Sequence, residues 1–458
     1  MNLKKSVVVI GGGISGLAAA YYVKQASPDV NVTLFEASDR IGGKVRTVHR
    51  SGFTIETGPE GYMEGKLTLT RLIKDIGLEN YLIPAHSGTY SVFVNGRLRV
   101  MPKGTVMGIP TKMLPMVTTG LVSPLGKARA AMDLFIPRVY SGHDLSVKEF
   151  FERRLGGELV SNMVEPLLAG IYNGELSDMS LEMTLPQFVS IEKKYRSLIL
   201  GMKSFRHPGK KQVSGQATRR FLSLSCGLDV LVDKLAAAVD RIELQTAVKH
   251  VQSGRVILKD GTEKQANAII LATTPRALGP LLDTDAAWQL SHDKCASTAT
   301  VALAFQNRQP VCTNETGYVV SRKEGLRITA CSRMSNKWPY TVPENTSLIR
   351  SYVGTADHSE MVCASDETIT QAVLDDLRRS EALEDPLFSV VTRQIDNMPQ
   401  YTVGHRQRVA EFEQALAACE GIFACGATLH GVGLPDCVDH ACHVAAEVST
   451  FLNRDKVG

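Results

Sequence analysis

A glycine-rich stretch near the beginning of the chain is the first place where residue types and spacing indicate chemistry. It follows the apolar residues 7–10 and consists of Gly11, Gly12, Gly13, Ile14, Ser15 and Gly16. In this GxGxxG pattern the first glycine permits a tight turn, the second lets the backbone approach a pyrophosphate, and the third lets a helix pack closely on a sheet. Because a helix N-terminus attracts anions, the pattern predicts a dinucleotide phosphate site.

A carboxylate stands where such a site needs one. Pro28 and Asp29 end the predicted helix, and residues 32–35 read as a second strand. Glu36 follows, twenty residues beyond Gly16, where a carboxylate accepts hydrogen bonds from an adenosine ribose and disfavours a 2′-phosphate. Strand, motif, helix, strand and acid in this order predict a Rossmann-type βαβ unit, which leaves NAD and FAD both open.

The residues after Glu36 favour FAD. They include Ala37, Arg40, Gly43 and Lys44, and the segment resembles the ExxxRxGG(R/K) signature of the amine oxidase and protoporphyrinogen oxidase flavoproteins. Glycine lets the backbone pass close to a cofactor, and a basic side chain offsets pyrophosphate charge. A turn after the next predicted strand consists of Gly58, Pro59, Glu60 and Gly61. The resemblance implies that it passes beside the flavin, with an ordinary turn as the alternative.

A second glycine-rich stretch near the other end of the chain precedes a helix-like segment at residues 441–452. Its candidate cofactor residues are Gly426, Val432, Gly433 and Leu434. The stretch resembles the closing flavin motif of the same family, in which backbone amides reach the isoalloxazine ring. Ala427 stands where relatives usually have aspartate, so one carboxylate contact is missing. We therefore expect FAD binding to depend more on the N-terminal unit.

The composition is that of a globular protein with more than one domain. The chain has 458 residues, 44% of them hydrophobic, and a formal net charge of +4. This small surplus, without a basic cluster, argues against nucleic-acid binding. Nine cysteines without a CxxC pair fit reduced thiols, and a signal-peptide pattern is missing, so we expect a cytoplasmic protein. Prolines interrupt the apolar residues 104–125, which leaves peripheral membrane contact open.

Helix and strand patterns predict an α/β plus α+β fold with three domains. Alternating segments at residues 300–305 and 347–353 indicate a mixed or antiparallel sheet, and amphipathic patterns between residues 142 and 205 indicate helices. The predicted domains are a discontinuous Rossmann-like FAD-binding domain (1–65, 215–275 and 395–458), a mixed-sheet substrate-binding domain (66–90 and 276–394) and an inserted helical domain for which membrane association stays open (91–214).

Beyond the flavin motifs, nearly the whole chain resembles the Gram-positive bacterial coproporphyrinogen and protoporphyrinogen oxidases of the HemY type. The segments that carry this resemblance are residues 101–112, 126–133, 165–174, 196–203, 337–339, 398–405 and 435–437. The resemblance implies the six-electron oxidation of coproporphyrinogen III to coproporphyrin III in haem biosynthesis, with FAD as cofactor, O2 as acceptor and H2O2 as by-product. It also implies a downstream ferrochelatase as a partner.

The resemblance further implies which residues position the substrate and the rest of the flavin. Gly170 and Ile171 match a segment beside the macrocycle, although a glycine at a helix C-terminus is the alternative for Gly170. Lys66 matches a basic position near the substrate carboxylates, with a solvated lysine as the alternative. Val248 matches a backbone contact to the adenine, and Gln394 stands where relatives often have tryptophan.

No side chain is identified as a catalytic acid, base or nucleophile, because hydride transfer to a flavin depends mainly on alignment. His405 and His430 receive no role, and no metal site is predicted. Three alternatives stay open: oxidation of protoporphyrinogen IX, the activity of an amine oxidase or carotenoid desaturase, and a non-catalytic flavin-binding partner protein. Propionate and vinyl groups distinguish the two porphyrinogens, and the sequence does not place the cations that would tell them apart.

Overall fold

The computed structural model describes residues 4–202, 221–306 and 314–454, and the chain forms two compact units. The first unit consists of Met1–Ala85, Ala217–Asp293 and Gln407–Gly458, and the second of His86–Gln216 and Lys294–Arg406. Each unit is thus assembled from separate segments of the chain. The division into three domains stays a prediction. The predicted FAD-binding segments end at residues 65 and 275, whereas the corresponding segments of the first unit end later, at residues 85 and 293.

The strands of the described residues are β1 (Ser6–Ile10), β2 (Asn31–Phe35), β3 (Thr47–Arg50), β4 (Phe53–Glu56), β5 (Tyr62–Met63), β6 (Leu82–Pro84), β7 (Thr89–Val94), β8 (Arg97–Val100), β9 (Thr105–Val106), β10 (Ile109–Pro110), β11 (Phe221–Leu224), β12 (Arg241–Glu243), β13 (Val248–Gln252), β14 (Arg255–Leu258), β15 (Glu263–Gln265), β16 (Ala268–Leu271), β17 (Cys295–Phe305), β18 (Glu315–Val320), β19 (Ile328–Arg333), β20 (Ser347–Val353), β21 (Phe388–Pro399) and β22 (Ile422–Ala424).

The α-helices in the same part of the chain are α1 (Ile14–Ala26), α2 (Leu67–Asp75), α3 (Met113–Thr118), α4 (Pro124–Ala131), α5 (Val147–Leu155), α6 (Gly157–Leu159), α7 (Glu165–Tyr172), α8 (Leu181–Thr184), α9 (Pro186–Tyr195), α10 (Leu198–Met202), α11 (Asp229–Ala236), α12 (Pro275–Leu282), α13 (Asp285–Ser291), α14 (Met334–Lys337), α15 (Asp366–Leu377), α16 (His405–Ala417) and α17 (Leu434–Asn453).

A parallel sheet organises the first unit, with the strand order β12-β2-β1-β16-β22. Strand β1 pairs with β2 on one side and β16 on the other. Such a central strand reads as a continuous apolar run, which is how residues 7–10 were recognised. Strands β1 and β2 belong to the N-terminal segment, β12 and β16 to the middle segment and β22 to the C-terminal segment. The sheet itself therefore joins distant parts of the chain.

Both faces of this sheet are covered. On one face Val7 and Val9 pack in a core with α1, α2, α11 and α17. On the other face Val8 and Ile10 pack with α12, α13, α16 and the strands β13 and β14. The alternation follows because successive side chains of a strand point to opposite faces. Small buried residues such as Ala19 let α17 lie against α1.

Smaller antiparallel elements complete the first unit. Strands β13, β14 and β15 form an antiparallel meander, in which the second turn follows Leu258. Strands β3 and β4 form a second hairpin that contains the predicted strand through Phe53 and Ile55. Strand β11 lies between β5 and β6. It begins at Phe221, whereas the predicted return of strands near Gly215 lies outside the described residues.

A mixed sheet organises the second unit, with the strand order β21-β17-β20-β19-β18-β7-β8. Strand β17 is antiparallel to both of its neighbours, so the alternating segments at 300–305 and 347–353 pair with each other. Strand β18 pairs with β7 in the parallel direction, and the other pairings are antiparallel. The predicted mixed sheet is confirmed.

Helices α4–α10 of the second unit share a core with one face of β7, through Val92 and Val94. The other face packs through Phe93 with a core that includes Ile369 of α15. The predicted helical pattern is found in α5–α10, between residues 147 and 202. Strands β5–β10 precede these helices and lie between residues 62 and 110. These strands are short, and each depends on a partner to pair with.

No α-helix of residues 4–202, 221–306 and 314–454 has the length and apolar character needed to cross a membrane. The cysteines within those ranges are free thiols. Burial raises the pKa of Cys331 to about 12, which keeps this thiol neutral. Cys331 therefore acts as a small apolar side chain in the core of the mixed sheet.

A buried ion network connects the helices of the second unit. The guanidinium of Arg154 on α5 is fully buried and pairs with Asp133 and, at 3.1 Å, with Glu192 on α9. Asp133 also accepts hydrogen bonds from the Ser197 hydroxyl and the Ile199 amide. Because both carboxylates are buried, each needs the arginine charge as well as its neutral donors.

Arg154→Met is expected to destabilise the protein by about 3–5 kcal/mol, because it leaves two buried carboxylates without a cation. Arg153→Ala is the matched control, since Arg153 is the adjacent residue and its ion pair with Glu149 is exposed. The control is expected to cost less than about 1 kcal/mol. Thermal or urea unfolding of both variants checks the difference, and equal losses would contradict the assigned role of Arg154.

Candidate functional site

The glycine motif forms a tight turn between β1 and α1. Gly11 has φ +108°, a conformation that favours glycine, and a Cβ at this position would lie 2.4 Å from the carbonyl oxygen of Ala272. A Cβ on Gly16 would lie 2.0 Å from the carbonyl oxygen of Gly11. Neither position has room for a side chain, so these two glycines are required by the fold of the turn itself.

Gly13 differs from its two neighbours in the motif. A Cβ built on Gly13 meets no heavy atom within 4 Å, and its backbone conformation, φ −73° and ψ 177°, is open to any residue. Gly13 is the N-cap of α1, and no side chain caps this helix end. Open space beside an uncapped helix N-terminus fits an anionic group such as a pyrophosphate.

Glu36 follows β2 and faces the glycine motif. Its Oε2 accepts a hydrogen bond from the Gly12 amide at 2.6 Å, and its Oε1 accepts from the Ser38 amide and hydroxyl, both at 2.8 Å. A carboxylate offers about four lone-pair sites, so capacity for a ribose hydroxyl remains. The Glu36 amide donates a hydrogen bond to the Glu243 carbonyl oxygen at 3.0 Å, and the Thr246 amide donates one to the Glu36 carbonyl oxygen at 2.8 Å. The segment that leads to Val248 therefore lies in the same unit as Glu36.

The second motif packs directly on the first. The Gly42 amide donates to the Gly12 carbonyl oxygen at 2.7 Å, and a Cβ on Gly43 would lie 3.1 Å from the Cα of Gly13. Arg40 donates to the carbonyl oxygens of Ile41 and Gly43, at 3.1 and 2.6 Å. Arg40 thus fixes the conformation of its own loop. The sequence interpretation had offered it, or Lys44, as a cation for the pyrophosphate.

The turn at residues 58–61 also lies against this motif. A Cβ on Gly58 would collide with the carbonyl oxygen of Lys44, at 1.7 Å, and a Cβ on Gly61 would lie 2.5 Å from the carbonyl oxygen of Leu222. The Thr57 amide donates to the Arg46 carbonyl oxygen at 2.9 Å. Close backbone packing thus requires both glycines, whether or not a cofactor lies beside them.

The C-terminal stretch meets the N-terminal motif inside the first unit. Gly426 has φ +120°, and a Cβ there would lie 3.2 Å from the Ser15 Oγ. Gly431 has φ +112°, and Gly433 is the N-cap of α17. The residues 11–16, Glu36, Ala37, Arg40, Gly43, Lys44, residues 58–61, Val248, Gly426 and residues 432–434 all belong to this unit. Two motifs about 410 residues apart in sequence are therefore neighbours.

Thr273 is a residue that the sequence interpretation missed. It follows β16, and its backbone nitrogen lies 3.6 Å from the Cβ position of Gly11. Its hydroxyl is buried and has no hydrogen-bond partner among the described residues. A buried polar group without a partner is costly, so this hydroxyl is a further point where a bound dinucleotide fits. No motif marks this position in the sequence.

Lys66 is the N-cap of α2 and lies in the first unit. Its ammonium pairs with Asp436 at 2.8 Å and with Asp439 at 3.7 Å, both on α17. Burial acts to lower the pKa of Lys66, but the hydrogen bond to Asp436 and the two carboxylate charges outweigh it, and the pKa is raised. The predicted role with substrate carboxylates stays a prediction, and it would require a propionate to compete with these two residues.

Gly170, Ile171 and Gln394 lie in the second unit. Gly170 is inside α7, which ends at Tyr172 with Asn173 in the left-handed conformation, so it is not a C-terminal cap glycine. Ile171 is 43% exposed, which is unusual for isoleucine and leaves an apolar side chain open to a ligand. The Gln394 side chain accepts a hydrogen bond from Asn397 at 2.7 Å.

A small pocket opens beside Tyr172, also in the second unit. Gln400 and Tyr401 line it, and Lys294 lies at its edge. The Lys294 ammonium pairs with Asp178 at 2.9 Å and with Asp357 at 2.5 Å. Glu175 and Asp178 also line this pocket, so its one cation already has carboxylate neighbours.

Comparison with known proteins identifies the class of this chain. The model of the flavin containing amine oxidoreductase family matches residues 14–449. The chain therefore belongs to the flavin containing amine oxidoreductases.

Within that class, two named enzymes are similar to the chain over their full length. Coproporphyrinogen III oxidase of Bacillus subtilis is 42% identical, and the match covers 98% of this chain and 99% of that one. Coproporphyrinogen III oxidase of Staphylococcus aureus is 36% identical, covering 98% and 100%. A crystal structure from Exiguobacterium sp., provisionally named a protoporphyrinogen oxidase, superposes with a TM-score of 0.88 at 37% identity, covering 98% and 99%.

These findings decide several predictions made from the sequence. The fold class and the resemblance to the coproporphyrinogen and protoporphyrinogen oxidases are confirmed. The chain is an oxidoreductase whose cofactor is FAD. The space at Gly13, the acceptor capacity of Glu36 and the unpartnered Thr273 hydroxyl fit that cofactor. The assignment of individual residues to the flavin and the substrate stays a prediction.

Gly13→Ala is expected to weaken FAD binding by about tenfold or more, equal to about 1.4 kcal/mol, and to leave the stability of the apoprotein unchanged. The added methyl group meets no protein atom, but it fills the space assigned to the pyrophosphate. Fluorescence titration of apoprotein with FAD measures the affinity, and thermal unfolding measures the stability.

Two further variants serve as controls for Gly13→Ala. Gly16→Ala places a methyl group against a backbone oxygen, so it is expected to destabilise the apoprotein itself. Gly157→Ala, near the N-terminus of α6, places its Cβ at ordinary van der Waals distance from Glu152, so neither property should change. Unchanged FAD affinity of Gly13→Ala would remove Gly13 from the cofactor site.

Proposed function

We propose that this chain oxidises coproporphyrinogen III to coproporphyrin III in haem biosynthesis. The observation that carries the proposal is the similarity to coproporphyrinogen III oxidases, at 36–42% identity over 98% of the chain. The first unit supports it, because glycines of the predicted flavin motifs pack closely against neighbouring backbone there. In the second unit, the exposed side chain of Ile171 offers an apolar surface.

The proposed reaction removes six electrons and six protons from the macrocycle in three equal steps. Bound FAD supplies the two-electron acceptor for each step. O2 is the proposed final acceptor, so each step reduces one O2 to one H2O2. Electrons and atoms then balance without a further co-reactant, and coproporphyrin III leaves for a downstream ferrochelatase.

In this proposal the protein contributes binding and orientation. Lys66, the predicted cation for substrate carboxylates, is held in the first unit by Asp436 and Asp439, so it is not poised as a free base. Hydride transfer needs mainly that the donor carbon faces the acceptor atom at close range. The rigid glycine turns at Gly11, Gly58 and Gly426 therefore matter more than a proton-transfer group.

The experiment that tests the proposal is anaerobic mixing of the FAD-loaded protein with coproporphyrinogen III. Bleaching of the flavin absorbance, followed by porphyrin fluorescence and peroxide on admission of air, is expected. The same measurement with protoporphyrinogen IX decides between the two porphyrinogens. Faster turnover of protoporphyrinogen IX than of coproporphyrinogen III would make protoporphyrinogen IX the substrate instead. Peroxide formed with amines but not with either porphyrinogen would show an amine oxidase, and bound flavin without any bleaching would show a non-catalytic partner protein.

Ile171→Ala is expected to raise KM for the porphyrinogen about 5–30-fold, with little change in kcat or thermal stability. The side chain is exposed in the free protein, and loss of the apolar area it would bury against the macrocycle corresponds to about 1–2 kcal/mol. Leu387→Ala is the matched control, since Leu387 is an exposed apolar residue of the same unit at 51%. A KM that does not differ between the two variants would exclude Ile171 from the substrate wall.

Peripheral contact with a membrane is a second, independent part of the proposal. The segment that begins at α3 exposes Leu114, Leu125 and Phe135, by 75%, 84% and 80%. Exposed basic residues, Lys103 and Lys112, precede it in the chain. Apolar side chains beside basic ones favour an anionic lipid surface. Cosedimentation with anionic but not with zwitterionic vesicles is the expected result, and no sedimentation with either would exclude it.

A further inference from the structure

We propose that Glu413, His430 and His440 form a binding site for one divalent ion of the zinc class on the first unit. The three side chains come from α16, from the loop before α17 and from α17 itself. Each presents one potential ligand atom, and these three atoms lie within 4.8 Å of one another. Two imidazoles and one carboxylate, with a fourth position left to water, is a ligand set that Zn2+ takes in proteins.

The distances are close to those that a metal ion would impose. Ligand atoms about 2.0–2.2 Å from a tetrahedral Zn2+ lie roughly 3.3–3.6 Å from each other. The Nε2 of His430 now lies 2.5 Å from Oε1 of Glu413, so this pair has to separate by about 1 Å. Both side chains are partly exposed, at 43% and 45%, and can make that adjustment by rotation.

The third ligand is the most fixed of the three. The rings of His430 and His440 meet edge to face, with centroids 4.6 Å apart. His440 Nδ1 accepts a hydrogen bond from the Gly426 amide at 3.3 Å, beyond the usual range of 2.7–3.2 Å. This contact joins the His440 ring to the stretch that leads into the loop carrying His430.

The location gives the ion a consequence for the cofactor site. Gly426 precedes the loop that carries His430, and Gly431 follows His430 directly; both glycines have positive φ and belong to the C-terminal flavin motif. An ion that holds His430 to α16 and α17 would restrict this loop. Metal binding is therefore expected to change how tightly the C-terminal motif closes on the flavin, and to slow the exchange of FAD.

Titration of Zn2+ into metal-free, FAD-loaded protein, followed calorimetrically and by elemental analysis after gel filtration, tests the site. One Zn2+ per chain is expected, together with slower release of FAD at saturating Zn2+. Glu413→Gln and His430→Ala are each expected to weaken binding by at least about tenfold, equal to about 1.4 kcal/mol. Both residues are exposed, so the variants should keep their FAD and their unfolding temperature.

Two controls separate this site from other zinc ligands on the surface. His292→Ala removes an exposed histidine of the same unit that bonds to the Trp288 carbonyl oxygen, and Cys363→Ser removes an exposed thiol. Neither should change the affinity. Absence of Zn2+ uptake by the FAD-loaded protein, or equal losses in all four variants, would overturn the proposal. The result is independent of the proposed reaction, which is assayed with porphyrinogen and without added metal.

Discussion

The close contact between the start of α1 and the end of β1 is the constraint on which the cofactor unit depends. A Cβ on Gly16 would lie 2.0 Å from the Gly11 carbonyl oxygen, and a Cβ on Gly11 would lie 2.4 Å from that of Ala272. Backbone atoms of β1, α1 and β16 therefore meet without side chains between them. The first turn of α1 is held at the carboxyl edge of the parallel sheet, where its amide groups face outward. Two further glycine segments of the first unit are positioned against this turn: Gly42 hydrogen-bonds to Gly12, and Gly426 meets Ser15.

The parts of the fold that are local in sequence could be predicted. The βαβ unit is complete within about 36 residues, so its order of strand, glycines, helix and acid can be read directly. That the two ends of the chain lie together could be inferred only because both ends resemble the same flavin family. In physical terms it follows from the sheet, in which β22 adds to β16, and β16 to β1. The helices between residues 147 and 202 were also recognised, since their apolar residues recur at helical spacing.

Contacts between residues far apart in sequence could not be predicted. Strand β7 pairs with β18, more than 200 residues later, and short strands such as β5 carry too few residues to show a period. The sequence presented Lys66 as a cation available to the substrate carboxylates. Its partners Asp436 and Asp439 could not be foreseen, because they lie about 370 residues away in sequence. Glu413, His430 and His440 likewise follow no spacing rule, because three separate elements bring them together. Side chains whose partners are distant need a structure before their role can be assigned.

The missing aspartate at Ala427 shows which interactions the cofactor motif can lose. What the C-terminal stretch contributes to the fold is backbone shape: Gly426 and Gly431 hold positive φ, and Gly433 is the N-cap of α17. None of these features needs a carboxylate at position 427, so its loss removes one contact but leaves the geometry of the loop intact. The neighbouring imidazole of His440 takes a hydrogen bond from the Gly426 amide. A side chain from α17 thus contacts the same loop, and an imidazole, unlike a carboxylate, carries no negative charge.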